Sequence, residues 1–135
     1  MFTGKERQTV SDRMFNDNDG MDEDSCLQLY DNSYEFYKLV LETFLKDVDK
    51  TLAGMKEHFD SGDAENYRIF VHGLKGAGGS AGARDLVELA TKSNALIKEG
   101  KWDEAKEYHE PIIAELERLR RIIPERIQAK LGDQS

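Results

Sequence analysis

A single cysteine, Cys26, is the whole thiol content of this 135-residue chain, so no internal disulfide is possible and nothing calls for an oxidising compartment. Proline occurs only twice, at 111 and 124, which leaves long stretches without the residue that most strongly stops a helix. No apolar run approaches the roughly twenty residues of a membrane span, and the opening Met1-Phe2-Thr3-Gly4-Lys5-Glu6-Arg7-Gln8 lacks the apolar core of a signal peptide. An excess of positive charge is missing too. Asp and Glu number 27 against 19 Lys and Arg, a net charge of −8, which repels phosphate backbones and anionic lipid. The expectation is a cytoplasmic protein with no nucleic-acid partner and no membrane insertion. What is present suits helices: 34% of residues are charged and 39% hydrophobic, in a length that fits one domain.

Residues 1–19 are polar and carry apolar side chains only at isolated points, Phe2, Val10, Met14 and Phe15. They read as a flexible arm or linker, with the folded domain at 20–131. A brief helix over 22–30 groups Cys26, Leu27 and Tyr30. Asn32 followed by Glu35 fits a capping box, after which Tyr37, Leu41, Phe44, Val48, Leu52, Met55 and Phe59 recur at steps of three and four. Ser61-Gly62-Asp63 ends that helix, with Asp63 as the next N-cap. A helix from Asp85 to Lys98 places Leu86, Leu89, Ala90, Ser93, Leu96 and Ile97 on one side and stops at Gly100. The last begins near Trp102 and runs toward Ile127, kinked at Pro111 and open to a break at Pro124. Arg68-Ile69-Phe70-Val71 has strand propensity, but no segment has strand periodicity. The fold class is all-α: an antiparallel bundle of four main helices with a short extra helix at the front.

Between Gly73 and Gly82 five of ten residues are glycine. Gly76-Ala77-Gly78-Gly79-Ser80-Ala81 fits the outline of a dinucleotide-binding turn. That turn needs a parallel sheet and a second strand, and a helix pattern follows instead. A Walker-type loop is excluded because no Gly-Lys-Ser/Thr occurs. Laid on a helix at 100° per residue, the stretch separates cleanly. Tyr67, Phe70, Leu74, Ala77, Gly78 and Ala81 face a core; His72, Lys75, Gly76, Gly79 and Ala83 face water. Each glycine inside a helix costs about 0.8–1 kcal/mol relative to alanine. Packing accounts for Gly78 on the core side, whereas Gly76 and Gly79 make sense where a partner must come close to His72.

A neutral imidazole can attack an activated phosphoryl group and hold it covalently. Lys75, one turn away, would neutralise charge on the phosphoryl oxygens. Zinc is disfavoured, since no histidine or cysteine lies at i+3 or i+4 of His72. His58 and His109 lack basic or glycine-rich surroundings and read as surface or structural residues. Trp102 reads as a core anchor.

These residues carry a resemblance. His72-Gly73-Leu74-Lys75-Gly76 with Gly82-Ala83 is similar to the signature of histidine-containing phosphotransfer (HPt) domains. Gly20-Met21-Asp22 with Tyr37, Leu41 and Phe44 is similar to the family's entry into its first long helix, and Gly100-Lys101-Trp102-Asp103 resembles its last inter-helix turn. The resemblance spans about residues 20–123. It implies a four-helix bundle whose exposed histidine takes a phosphoryl group from a receiver-domain aspartate and gives it to another, a carrier without turnover of its own. By it His72 is phosphorylated at Nε2, Lys75 stabilises the phosphate, and Gly76, with Gly79 and Ala83 on the same face, keeps the docking surface open. No cofactor belongs to the chain; the divalent metal belongs to the receiver. The implied partners are response-regulator receiver domains and a hybrid sensor kinase. With no large apolar patch evident beside the exposed reactive face, the expectation is a monomer.

Departures refine the subtype. Gly73 follows the histidine and no proline is near, unlike the pattern of dimerising kinase domains. Thr91 and Asn94 stand where chemotaxis-kinase phosphotransfer domains tend to carry a histidine and a glutamate. Both favour a relay intermediate fed by a receiver. The rivals are an adaptor or structural bundle in which His72 is never modified, and a nucleotide-binding enzyme using the glycine stretch as a loop.

Overall fold

The computed structural model describes residues 12–132. Helix α1 spans Glu23–Leu29, α2 Tyr34–Asp60, α3 Ala64–Ala81, α4 Arg84–Lys98, α5 Trp102–Ala105 and α6 His109–Leu131, with 3-10 turns at Asp17–Asp19 and Lys106–Tyr108. No strand occurs among the described residues. Helices α2, α3, α4 and α6 form an antiparallel four-helix bundle in which α3 packs on α2 and α4, and α6 closes the ring against the same two. The short helix α1 leads into it.

The periodicity of α2 is realised directly: Tyr37, Leu41, Phe44, Val48, Leu52 and Met55 are all buried. Its N-cap is Ser33, whose hydroxyl accepts from the Phe36 N–H at 3.1 Å, and not Asn32 as the capping-box spacing suggested. Asp31 and Asn32 both take left-handed conformations, at φ 55° and 59°. They reverse the chain after α1, so the first residue with extended geometry is Ser33. Asp63 caps α3 as expected, accepting from the Asn66 N–H at 3.1 Å. Arg68-Ile69-Phe70-Val71 lies in the middle of that helix.

The proline expectations divide. Pro111 lies in the first turn of α6, and the helix expected from Trp102 onward is interrupted just before it by the 3-10 turn at Lys106–Tyr108. A proline lacks an N–H for the residue four positions back and crowds that residue's carbonyl, here that of Glu107. Pro124 does not break α6, which continues to Leu131. Its neighbours Ile122, Ile123 and Ile127 are buried against the bundle, so tertiary packing outweighs one lost backbone hydrogen bond.

The expected arm at 1–19 needs correction where it is described; residues 1–11 lie outside the described residues. Met14 and Phe15 belong to the hydrophobic core, exposed by only 4% and 3%. Their backbone N–H groups both donate to the Glu23 carboxylate at 2.8 Å, which also accepts from the Tyr34 hydroxyl. A buried carboxylate is tolerable when its oxygens are met by donors in this way. Asp19 is buried too and pairs with Arg126 of α6 through two bonds of 2.8 and 3.0 Å, and that guanidinium holds its carboxyl below the usual carboxylate range. The Asp22 N–H donates to the Gly82 carbonyl at 2.6 Å. The segment is thus a strap tied across the turn between α3 and α4.

Candidate functional site

Helix α3 carries Gly73, Gly76, Gly78 and Gly79 in its interior, which together cost roughly 3–4 kcal/mol against alanine. Its C-terminal end is held by its own closure and from outside the helix. At the C-terminus Gly82 adopts φ 76°, with its N–H on the Gly79 carbonyl at 3.1 Å and the Ala83 N–H on the Gly78 carbonyl at 2.8 Å. This is the paired closure that favours glycine because a Cβ disfavours the left-handed region. Two carbonyls of the last turn gain further donors, the Tyr37 hydroxyl to Ala81 at 2.7 Å and the Tyr30 hydroxyl to Ser80 at 2.7 Å. These bonds and the buried side chains Tyr67, Val71, Leu74 and Ala81 hold the helix where its own propensity is weakest.

The glycines are not equivalent. A Cβ on Gly78 would lie 3.0 Å from Val87 Cγ2 of α4, so this glycine lets the two helices approach. Around Gly73, Gly76 and Gly79 nothing stands within 4 Å of the corresponding position. His72 is exposed beside them, and neither it nor Lys75 makes an ion pair or hydrogen bond among the described residues. The helix therefore presents an imidazole, a cation one turn on and a strip without side chains.

Two placements differ from the helical projection. Ala83 is fully buried as the N-cap of α4. The chain leaves the helical path at Gly82, so counting 100° per residue past that point does not apply, and Ala83 is no part of an exposed surface. Ala77 is exposed and Val71 fully buried, the reverse of what the projection suggested for Ala77. The core side of α3 is turned toward α4, which leaves Ala77 at the edge of a cleft of about 250 Å³ with Val40, Thr43, Phe44 and Asp47 of α2 and Ser80. Three large apolar side chains of α2 and α3 are exposed as well, Ile69 by 59%, Phe36 by 49% and Leu39 by 59%. Sequence reading did not assign these three side chains to the surface. The available signal was that Phe36 and Leu39 fall off the stripe running from Tyr37 to Phe59.

The other histidines are structural. His109 is buried, its Nδ1 2.8 Å from the Tyr67 hydroxyl and its ring stacked on Phe59 at 3.8 Å. Burial holds its pKa below the ordinary value, against the opposing pull of Glu110 and Asp60. Trp102 packs edge-on to Tyr67 at 5.2 Å, the anchor it was expected to be. The His58 ring lies 5.8 Å from that of Phe70. Among the described residues no three His, Cys, Asp or Glu side chains are grouped to hold a metal ion, and no helix is long and apolar enough to cross a membrane.

An exposed, unpartnered imidazole in mid-helix is free to act as a nucleophile toward an electrophile brought by another molecule. The family model described as Hpt domain matches residues 39–122, from the first third of α2 through most of α6. Searches of curated proteins and of solved structures gave no match.

Proposed function

Since the chain belongs to the Hpt domain family, we propose that it is a phosphorelay intermediate in which His72 accepts a phosphoryl group from a receiver-domain aspartate and passes it to a second receiver. Phosphotransfer through histidine is the general business of the family, whose members are carriers rather than enzymes. The observation that carries the reading for this chain is the open face around His72: Gly73, Gly76 and Gly79 have nothing within 4 Å of an added Cβ.

The Nε2 lone pair attacks phosphorus of the aspartyl phosphate. The new P–N bond forms as the P–O bond to the carboxylate breaks, and the aspartate leaves with the electron pair. The positive charge gained by the imidazole is discharged by loss of the Nδ1 proton to water. Lys75 neutralises charge on the phosphoryl oxygens during transfer, which lowers the barrier in a site the docked receiver shields from solvent. The divalent ion that assists comes with the receiver. Gly76 and Gly79 admit the receiver's surface, and the cleft beside Ala77 with Ile69 and Leu39 gives it apolar area to bury. The protein acts as a monomer in the cytoplasm, with receiver domains, including that of a hybrid sensor kinase, as its partners.

The test is transfer from a panel of phosphorylated receiver domains to the wild type and to His72→Gln, with the product checked for acid lability. Acid-labile label on the wild type alone is expected. Label surviving in the variant would move the site elsewhere, and refusal by every receiver would favour an adaptor without chemistry.

A further inference from the structure

Arg68 has no part in the roles described so far. It stands one turn before His72, at i−4, and Lys75 one turn after, at i+3. Both separations bring Cβ atoms to about 5–6 Å on a helix surface. Helical side chains slant toward the N-terminus, so Lys75 leans back over His72, and the imidazole leans over the turn that carries Arg68. A phosphoryl group on Nε2, at the outer edge of the ring, therefore projects toward Arg68 as well as toward Lys75.

The charge pattern sets Arg68 apart. In this chain of net charge −8, Arg13, Arg84, Arg118, Arg120 and Arg126 each pair with a carboxylate. Among the described residues Arg68 makes no ion pair or hydrogen bond, a state it shares with Arg121 of α6. A partner is in reach, because Glu65 lies at i−3, the same separation at which Arg118 and Glu115 pair at 2.7 Å. A half-buried guanidinium without a counter-ion, beside the atom where a dianion would form, is placed to receive it. Its planar fork suits two oxygens of one phosphoryl group, which a lysine ammonium does not match.

Resting on the phosphocarrier reading, we infer that Arg68 is a second phosphoryl-binding cation, which holds the group on His72 from the N-terminal side while Lys75 holds it from the C-terminal side.

The test loads His72 without a receiver. Phosphoramidate, a small-molecule donor, phosphorylates exposed histidine as its own P–N bond breaks and ammonia leaves. A phosphorus-31 NMR titration then follows the phosphoryl group in the wild type, Arg68→Gln, Arg68→Lys and Lys75→Gln, with His72→Gln identifying the signal. Cations nearby favour the dianion, so Arg68→Gln should raise the phosphoryl pKa by about half a unit, the size expected for one exposed charge pair, and Arg68→Lys should restore most of it. Arg68→Gln should also slow transfer from a receiver about threefold, the same free energy expressed as a rate. A titration of Arg68→Gln that overlays the wild type while Lys75→Gln shifts would overturn the role of Arg68 and leave the carrier reading standing. Slower transfer with an unchanged titration would do the same, assigning Arg68 to the receiver contact. Refusal by every receiver, with the titration shifting as described, would overturn the carrier reading and retain Arg68 as an anion ligand. Failure of phosphoramidate to label His72 would overturn both.

Discussion

Gly76 and Gly79 stand within a few residues of Gly78 and Gly82, yet the two pairs are glycine for opposite reasons. Gly78 lies against Val87, and a Cβ on Gly82 would come within 2.7 Å of Cys26 Sγ and 3.0 Å of the Asp22 carbonyl oxygen. There the fold itself leaves no space. Gly76 and Gly79 have open solvent where a side chain would be, and each weakens the helix without helping any packing in the isolated chain. The buried pair serves the bundle; on the proposed reading the open pair serves whatever meets His72. One sequence motif thus mixes a structural requirement with a stability cost that the proposed docking would explain.

Substitution should separate the two with opposite signs. The largest loss is expected for Gly82→Ala, which combines about 1–2 kcal/mol for a left-handed alanine with contacts that the strap carbonyl of Asp22 cannot easily relieve. Gly78→Leu should follow at about 1–3 kcal/mol from overpacking against α4. Urea denaturation monitored by far-UV circular dichroism reads both, and wild-type stability in either variant would dissolve the distinction. In the open pair, Gly76→Ala and Gly79→Ala should each gain about 0.8–1 kcal/mol, nearly additively since neither alanine finds a new neighbour. Gly76→Gln should fold as well as the wild type and still slow transfer from a receiver about tenfold or more, because even about 1 Å of misplacement costs on the order of a hundredfold. Rapid transfer by Gly76→Gln would remove the case for close approach.

Sequence alone reached the bundle because its main helices alternate apolar and polar residues at the helical period and end on Asp63, Gly82 and Gly100. It also placed His72, Lys75, Gly76 and Gly79 on the exposed side of α3. What it could not supply depends on contacts between distant residues. Met14 and Phe15 look like stray apolar positions in a polar run until Glu23 is seen to accept both of their N–H groups. Ala77 was set on the wrong side because the direction of the core follows from where α4 packs, which one helix's periodicity leaves loose. Ala83 was misplaced by extending a helical count through a left-handed glycine. Gly54 gave no signal at all: its missing side chain makes room for the Phe70 ring, whose atoms lie as close as 2.3 Å to a Cβ built there.

The smallest expected effect is a pH slope, and it contrasts the two histidines that α3 engages, His72 on its open face and His109 against its buried Tyr67. Burial lowers the His109 pKa from its ordinary value of 6.5. Glu110 and Asp60 pull it upward, Lys56 pushes the same way as burial, and burial is the largest influence. In the unfolded chain the group returns to its ordinary value, so between the lowered folded value and 6.5 the unfolded state binds more protons. Its contribution is therefore complete above pH 6.5, declines as pH falls through that window, and levels off below the folded pKa. Asp19, held low chiefly by its bond to Arg126, acts in a separate window that begins below its ordinary value of 3.8. Denaturation midpoints measured from pH 7.5 down to pH 5 should show a shallow loss of stability in the wild type that His109→Gln reduces. Tyr67→Phe should cost about 1–3 kcal/mol at pH 7.5 by removing the hydroxyl hydrogen-bonded to the buried Nδ1. An identical acid slope in wild type and His109→Gln would mean that water reaches His109 in solution, and the buried end of α3 would then be more open than its packing against Phe59 and Trp102 implies.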